Sequence, residues 1–280
     1  MNVTMLGSGC WEGTPSPFCS CRICSMASKD HNSIEYRSRP ELLVSAEEGK
    51  FLIEISPDIR TQSTRYNLPP ITDFIVSHWH FDHMFGLYEL HAWIELVIKS
   101  KVNIYCSVAA KEMLDRQFGF IPTNIIVIEA YQSFELHGVK ITPIPVYHMS
   151  SIDKDKTPYD LNNTFGYILE DSNNKIAYLA DYYEVPEQSL ELIKDAEIVI
   201  ADGTYLFEER YPDKPYQNAT HEEKDPDHLH GDNIIKFTNS LNNARIIYHS
   251  ITHLPELEHA ELQALLSGGH EIGFDGMKVI

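Results

Sequence analysis

The stretch Phe74-Ile75-Val76-Ser77-His78-Trp79-His80-Phe81-Asp82-His83 decides how this chain is read. It opens as a short apolar run, the pattern of a buried strand. It then places three imidazoles and a carboxylate within six residues. In an extended segment His78 and His80 point the same way, and the turn that follows can bring Asp82 and His83 to a neighbouring point. Buried imidazoles need partners, and so dense a group finds them in a metal ion rather than in packing. Imidazole and carboxylate together suit Zn²⁺, Mn²⁺ or Fe.

Further donors stand where other strands end. His148 follows Ile141–Tyr147, Asp181 follows Ile176–Ala180, and His253 follows Ile251-Thr252. Singly, each fits a surface position or a satisfied core residue as well as a ligand. Beside the first run they converge on one expectation, a cleft at a sheet edge where these side chains meet.

Outward from the run, short segments rich in Val, Ile, Leu and Phe read as strands: Val3–Leu6, Leu42–Ala46, Phe51–Ile55, Val102–Cys106, Ile125–Glu129, Val139–Tyr147, Phe165–Leu169, Ile176–Leu179, Ile198–Ala201 and Arg245–Tyr248. Helical spacing is read from His83 to about Ile98 (Leu87, Leu90, Ile94, Val97) and over Ala109–Phe118. Pro186 is placed to start a helix, Asp232 to cap one, and Pro255 to open one carrying Leu257, Leu262, Leu265 and Leu266. Strands mixed with helices in both halves predict an α/β fold, a four-layer αββα sandwich, as a single domain over 1–280. Ser150–Asn163 and Phe207–Asp227 read as long irregular loops that, with Tyr159 and Tyr205, could shape a pocket.

Net charge is −19, from 41 acidic against 22 basic residues in 280. Phosphate-backbone binders need clustered Lys and Arg, so nucleic acid is not an expected partner, and neither is an anionic membrane surface. No apolar run approaches the ~20 residues that span a bilayer. The start lacks a basic leader, which predicts a cytoplasmic protein. Of five cysteines, Cys19, Cys21 and Cys24 are crowded together; with no secretion signal they read as metal ligands rather than disulfide partners.

The His-x-His-x-Asp-His run, the later strand-end His and Asp and the last His resemble the metallo-β-lactamase superfamily over nearly the whole chain. That resemblance implies an αββα fold with a dinuclear centre. His78, His80 and His148 would hold one divalent ion (Zn or Mn), Asp82, His83 and His253 the other, and Asp181 would bridge them. His249 lies near the same strand end. Were it the active-site ligand, His253 would be free to join the cysteines; the local Ile-Thr-His-Leu and the distance to Gly273 favour His253 for the active site.

The ends of the chain narrow the resemblance. Leu6-Gly7-Ser8-Gly9, Gly13-Thr14-Pro15, Cys19-x-Cys21-x-x-Cys24, Ser56–Gln62 and Gly273–Met277 resemble the PhnP-like branch of cyclic-phosphate phosphodiesterases. In that branch the cysteines hold a structural zinc, whose fourth ligand is a His three residues beyond the last active-site His. Glu256 stands there in this chain, and His259 or His249 could substitute. The branch also uses a general-acid His just before a helix cap, which His230-Gly231-Asp232 matches, with His228 the runner-up. The implied reaction is hydrolysis of a small phosphodiester. Two ions ~3.5–4 Å apart activate a water and clamp a phosphoryl oxygen, with Asp82 held at the metals and His230 protonating the leaving oxygen. A homodimer is implied by the resemblance alone. The same donor set also serves thioesters, lactones and other esters, tRNA 3′-end processing, or a non-hydrolytic cofactor-biosynthesis protein.

Overall fold

A computed structural model describes residues 1–148, 160–212, 228–241 and 244–280. Most of the two predicted long loops, with Tyr159, lies outside the described residues.

The first half builds one sheet: β1 (Asn2–Gly7), β2 (Glu41–Ser45), β3 (Lys50–Ile53), β4 (Asp73–Val76), β5 (Val102–Cys106) and β6 (Thr123–Val127), in that spatial order. β1 to β3 pair antiparallel, and β3 to β6 run parallel. The second sheet holds β7 (Phe134–Leu136), β8 (Val139–Val146), β9 (Thr164–Glu170), β10 (Lys175–Tyr178), β11 (Ile198–Asp202), β12 (Arg245–His249) and β13 (Glu271–Ile272), ordered β13 to β7. Helices α1 (Arg22–Lys29), α2 (Ile59–Arg65), α3 (Phe81–Met84), α4 (Leu87–Trp93), α5 (Val108–Phe118), α6 (Glu187–Ile193), α7 (Gly231–Asn239) and α8 (His259–Leu265) lie between them in the chain.

Strand alternation sorts the apolar residues into three cores. In β4, Ile75 joins Val3, Val44, Phe51, Tyr167, Ile200 and Ile247 between the sheets. Its neighbours Phe74 and Val76 pack outward on Leu87 of α4 and on Leu114 and Phe118 of α5. In the second sheet Ile198 and Ile200 point inward, while Val199 and Ala201 meet Ile193, Ile234 and Leu262 of the outer helices. Helix, sheet, sheet, helix: the four layers expected from the sequence are present.

Three local expectations differ. The helix read from His83 to Ile98 is broken. α3 is one turn, Gly86 passes so close to Ser56 that a Cβ there would sit 2.0 Å from its carbonyl oxygen, and α4 ends in a π-turn over Ile94–Ile98. The wider π-turn moves Val97 off the buried face, and it is 67% exposed. α8 starts at His259, not Pro255, because Glu258 and Glu261 form a reciprocal capping box. Asp232 lies inside the first turn of α7, whose N-cap is His230. No described helix is long and apolar enough to cross a membrane.

Candidate metal centre

β8, β10, β11 and β12 all run the same way, so their C-terminal ends share one edge. Side chains leaving that edge meet those that follow β4. His78, His80, His148 and Asp181 bring ligand atoms within 4.8 Å of one another, and Asp82, His83 and Asp181 do the same. Asp181 belongs to both nests. Its Oδ2 lies 3.6 Å from His78 Nε2, 3.3 Å from His83 Nε2 and 3.8 Å from His148 Nε2. His148 Nε2 and His80 Nδ1 face each other at 3.1 Å. Ser77 Oγ engages His78 Nδ1 at 2.9 Å, which leaves His78 Nε2 to point inward.

The nests fit cations on three observations. His78 Nε2 and His83 Nε2 are buried, with no well-formed hydrogen bond among the described residues, and both face the shared Asp181 carboxylate. Buried polar atoms are almost always paired, so two such nitrogens turned on one carboxylate call for a partner of another kind. Burial, and then His83, His80 and His148, hold His78 far below the usual histidine range, and burial lowers His80 as well. Both rings are therefore neutral, the form that ligates. Burial also pulls on His83, but Asp82, Asp181 and Glu54 outweigh it and raise its pKa well above normal. Three carboxylates around one ring mark a place where positive charge is stabilised, and a divalent ion supplies it more fully than a proton does.

Glu54 was not singled out from the sequence. It is fully buried, its backbone is left-handed (φ 74°), and its Oε1 lies 3.4 Å from His83 Nδ1. Tyr178 Oη donates to Glu54 Oε1, and the Ser77 N–H donates to Oε2. A carboxylate behind a ligating imidazole orients the ring. The available signal was an acid inside the apolar run Phe51–Ile55. Asp202, at the end of β11, was also missed, although it obeys the strand-end rule that selected Asp181.

His253 is not in the cleft. The chain leaves β12 at Ser250, pairs Ile251 with Gly9, and carries His253 to the cysteine loop. There Cys19, Cys21, Cys24 and His253 bring their ligand atoms within 4.8 Å, with His253 Nδ1 3.5 Å from Cys21 Sγ and 3.9 Å from Cys19 Sγ. That quartet has the Cys₃His make-up of a structural zinc site, and neither Glu256 nor His259 belongs to it. The Ser16 and Cys24 N–H groups donate to Cys24 Sγ and Cys21 Sγ, bonds that favour thiolates. His249, the other histidine of that strand end, stays in the sheet. It is buried with Nε2 3.0 Å from the Leu179 carbonyl, close enough to Asp202, Asp181 and His83 to feel their charges.

His230 is also displaced from its expected place. It is 2% exposed, stacks on Tyr205 at 4.3 Å, and sets Nδ1 2.7 Å from Glu208 Oε2. His228 lines the cleft instead. Its Nδ1–H donates to Asp202 Oδ2 at 2.6 Å, and its Nε2 lies 4.0 Å from Asp181 Oδ2. Thr204, through N–H and Oγ1, holds the other Asp202 oxygen. The cleft is about 420 Å³ and is lined by Trp11, Trp79, His80, Phe81, Asp82, Asp181, Tyr205 and His228, among others.

Comparison with known proteins agrees with this fold. The sequence profile of the beta-lactamase superfamily domain matches residues 50–251, most of the chain. The chain belongs to the beta-lactamase superfamily. Members of this superfamily share the metallo-β-lactamase fold described above. A structure described as a new diphosphatase from the PhnP family superposes with a TM-score of 0.78 at 24% identity, covering 100% of this chain and 97% of that one. Zinc-bound PqqB from Methylobacterium extorquens gives 0.78 at 21% identity, covering all of both chains. An octanoyltransferase of Porphyromonas gingivalis is 24% identical over 290 residues, all of this chain but 51% of that protein, so the chain spans about half of that relative's length.

Proposed function

We propose that this superfamily member is a two-metal phosphodiesterase that hydrolyses small, notably cyclic, phosphodiesters. One observation carries the reading: two His/carboxylate nests share Asp181 and keep orphaned buried nitrogens on His78 and His83. His78, His80 and His148 would hold one ion, Zn²⁺ or Mn²⁺, and Asp82 and His83 the other, with Asp181 serving both. The cysteine quartet would hold a structural Zn²⁺. When bound, the paired ions polarise a phosphoryl oxygen and make water a nucleophile at neutral pH.

The chain's own residues supply the rest. Glu54 orients the His83 ring. Asp202 holds His228 Nδ1 and turns Nε2 to the cleft, which places His228 to deliver a proton to the departing alkoxide. Phosphorus as the reacting centre is supported by the resemblance of the chain ends to the PhnP-like branch and by the likeness to a PhnP-family diphosphatase. The relative named octanoyltransferase favours a second reading, cleavage of a medium-chain acyl ester or thioester.

A substrate panel on Zn- and Mn-loaded protein separates the two. Turnover of bis-p-nitrophenyl phosphate and a 2′,3′-cyclic phosphate is expected, and a preference for an octanoyl thioester would replace this reading with the second. His228→Ala is expected to lower kcat on an alkyl ester roughly 10²–10⁴-fold with metal content retained. The loss should be smaller when the leaving group is p-nitrophenolate, which needs no proton. An alkyl-ester kcat equal to wild type would remove His228 from the role.

A further inference from the structure

On the outer face of the first sheet, α2 and α4 enclose a cavity of about 340 Å³. Leu52 and Phe74, register partners on β3 and β4, form its floor with Ile59 and Ile71, and all four are buried. Leu90 and Trp93 of α4 form the far wall. None of the residues that line it lines the metal cleft. A concave, mostly apolar site with a few polar groups at one side is the usual form of a small-ligand pocket.

The polar side belongs to α2, through Arg60, Ser63 and Thr64. The Ser63 and Thr64 hydroxyls both donate to the Arg60 carbonyl, at 3.1 and 2.7 Å. The Arg60 side chain is exposed and makes no ion pair among the described residues, not even with Glu89 of α4, the one acid in the lining. Arg60 and Thr64, one helical turn apart, also line a second, open pocket of about 580 Å³ with His31, Asn32, Tyr36 and Arg65. There the Arg65 guanidinium is braced over the Tyr36 and Tyr66 rings, 5.2 and 5.5 Å from their centroids. Asp275, 3.8 Å from Arg65, is already held by the N–H and hydroxyl groups of Ser8 and Ser38. No acidic residue lines this second pocket, a local reversal of sign in a chain of net charge −19. An apolar cavity and a cationic pocket thus adjoin across one turn of α2.

We infer that the two pockets together bind an aliphatic carboxylate, whose chain fills the cavity between α2 and α4 while its head lies against Arg60 and Arg65. An arginine fork matches a carboxylate in shape as well as charge. Both helices have seven residues, about 10 Å of length, which suits a medium rather than a long chain. The site is independent of the phosphodiesterase reading above.

Calorimetric titration of the zinc-loaded protein with hexanoate, octanoate and decanoate tests this. The dissociation constant should fall roughly fourfold for each added methylene, the usual gain for a CH₂ removed from water. Arg60→Gln should weaken octanoate about threefold or more and leave the binding of n-octanol unchanged. Ser63→Phe, which fills the cavity from α2, should abolish octanoate binding and keep bis-p-nitrophenyl phosphate turnover. Octanoate should also change the tryptophan fluorescence, and the change should vanish in Trp93→Phe. His80→Ala, which damages the metal centre, should bind octanoate as wild type does. Absence of saturable binding, as when a second copy covers α4, overturns the inference. So does loss of binding in His80→Ala, which would put the carboxylate on the cleft metals, or a chain-length trend that survives Ser63→Phe.

Discussion

His80→Ala is expected to cost at least about 10³-fold in kcat/KM on bis-p-nitrophenyl phosphate, roughly 4 kcal/mol of transition-state stabilisation. His80 Nδ1 faces His148 Nε2 at 3.1 Å, and its loss removes one of the three imidazoles of the first nest. The remaining carboxylates then crowd Asp181 without their full complement of positive charge. Elemental analysis should show one fewer bound ion in the cleft, with the cysteine-site zinc retained. Activity close to wild type in a variant short of that ion would sink the two-ion account.

The second large effect is on stability. Cys24→Ser is expected to remove the zinc of the quartet and to lower stability by about 3 kcal/mol or more, because a structural metal's binding energy appears as folding energy. For a chain of this size that is roughly 6–12 °C in the thermal midpoint. The quartet joins the N-terminal cysteine loop to the segment after β12, so its loss frees two distant parts of the chain from each other. Burial pushes the Cys24 thiol up to about 12 in the metal-free chain. Zinc uptake must therefore release protons, and the affinity of this site should climb with pH through neutrality. Scanning calorimetry with and without a chelator checks both points. A midpoint unmoved by chelation would mean that the quartet holds no structural ion.

Much of this centre could be read from the sequence, and the failures have physical causes. His78, His80, Asp82, His83, His148 and Asp181 were found because a strand-end donor after an apolar run lies at a sheet edge whatever the rest of the fold does. His253 went astray because direction beyond a strand end depends on loop geometry. Ser250 takes a left-handed backbone (φ 55°) and Ile251 pairs with Gly9, contacts between residues some 240 apart that local pattern does not encode.

His230 was preferred over His228 on its place before the expected helix cap, which says nothing of the partners each ring finds in the fold. Glu208 and Tyr205 draw one away, and Asp202 draws the other to the cleft. Glu54 shows the converse case. A carboxylate buried among Phe51, Leu52, Ile53 and Ile55 is costly without a function, and that cost was visible in the sequence as a break in an apolar run.

The central claim is a shared carboxylate between two cations. Anomalous diffraction at the zinc edge, from crystals of the zinc-loaded protein, tests it directly. The account predicts two peaks in the cleft on either side of Asp181, one among His78, His80 and His148 and one beside Asp82 and His83, with a third inside the Cys19–Cys21–Cys24–His253 quartet. A single cleft peak that leaves His83 or His78 uncoordinated, or a cleft ion bound by His253, would contradict it.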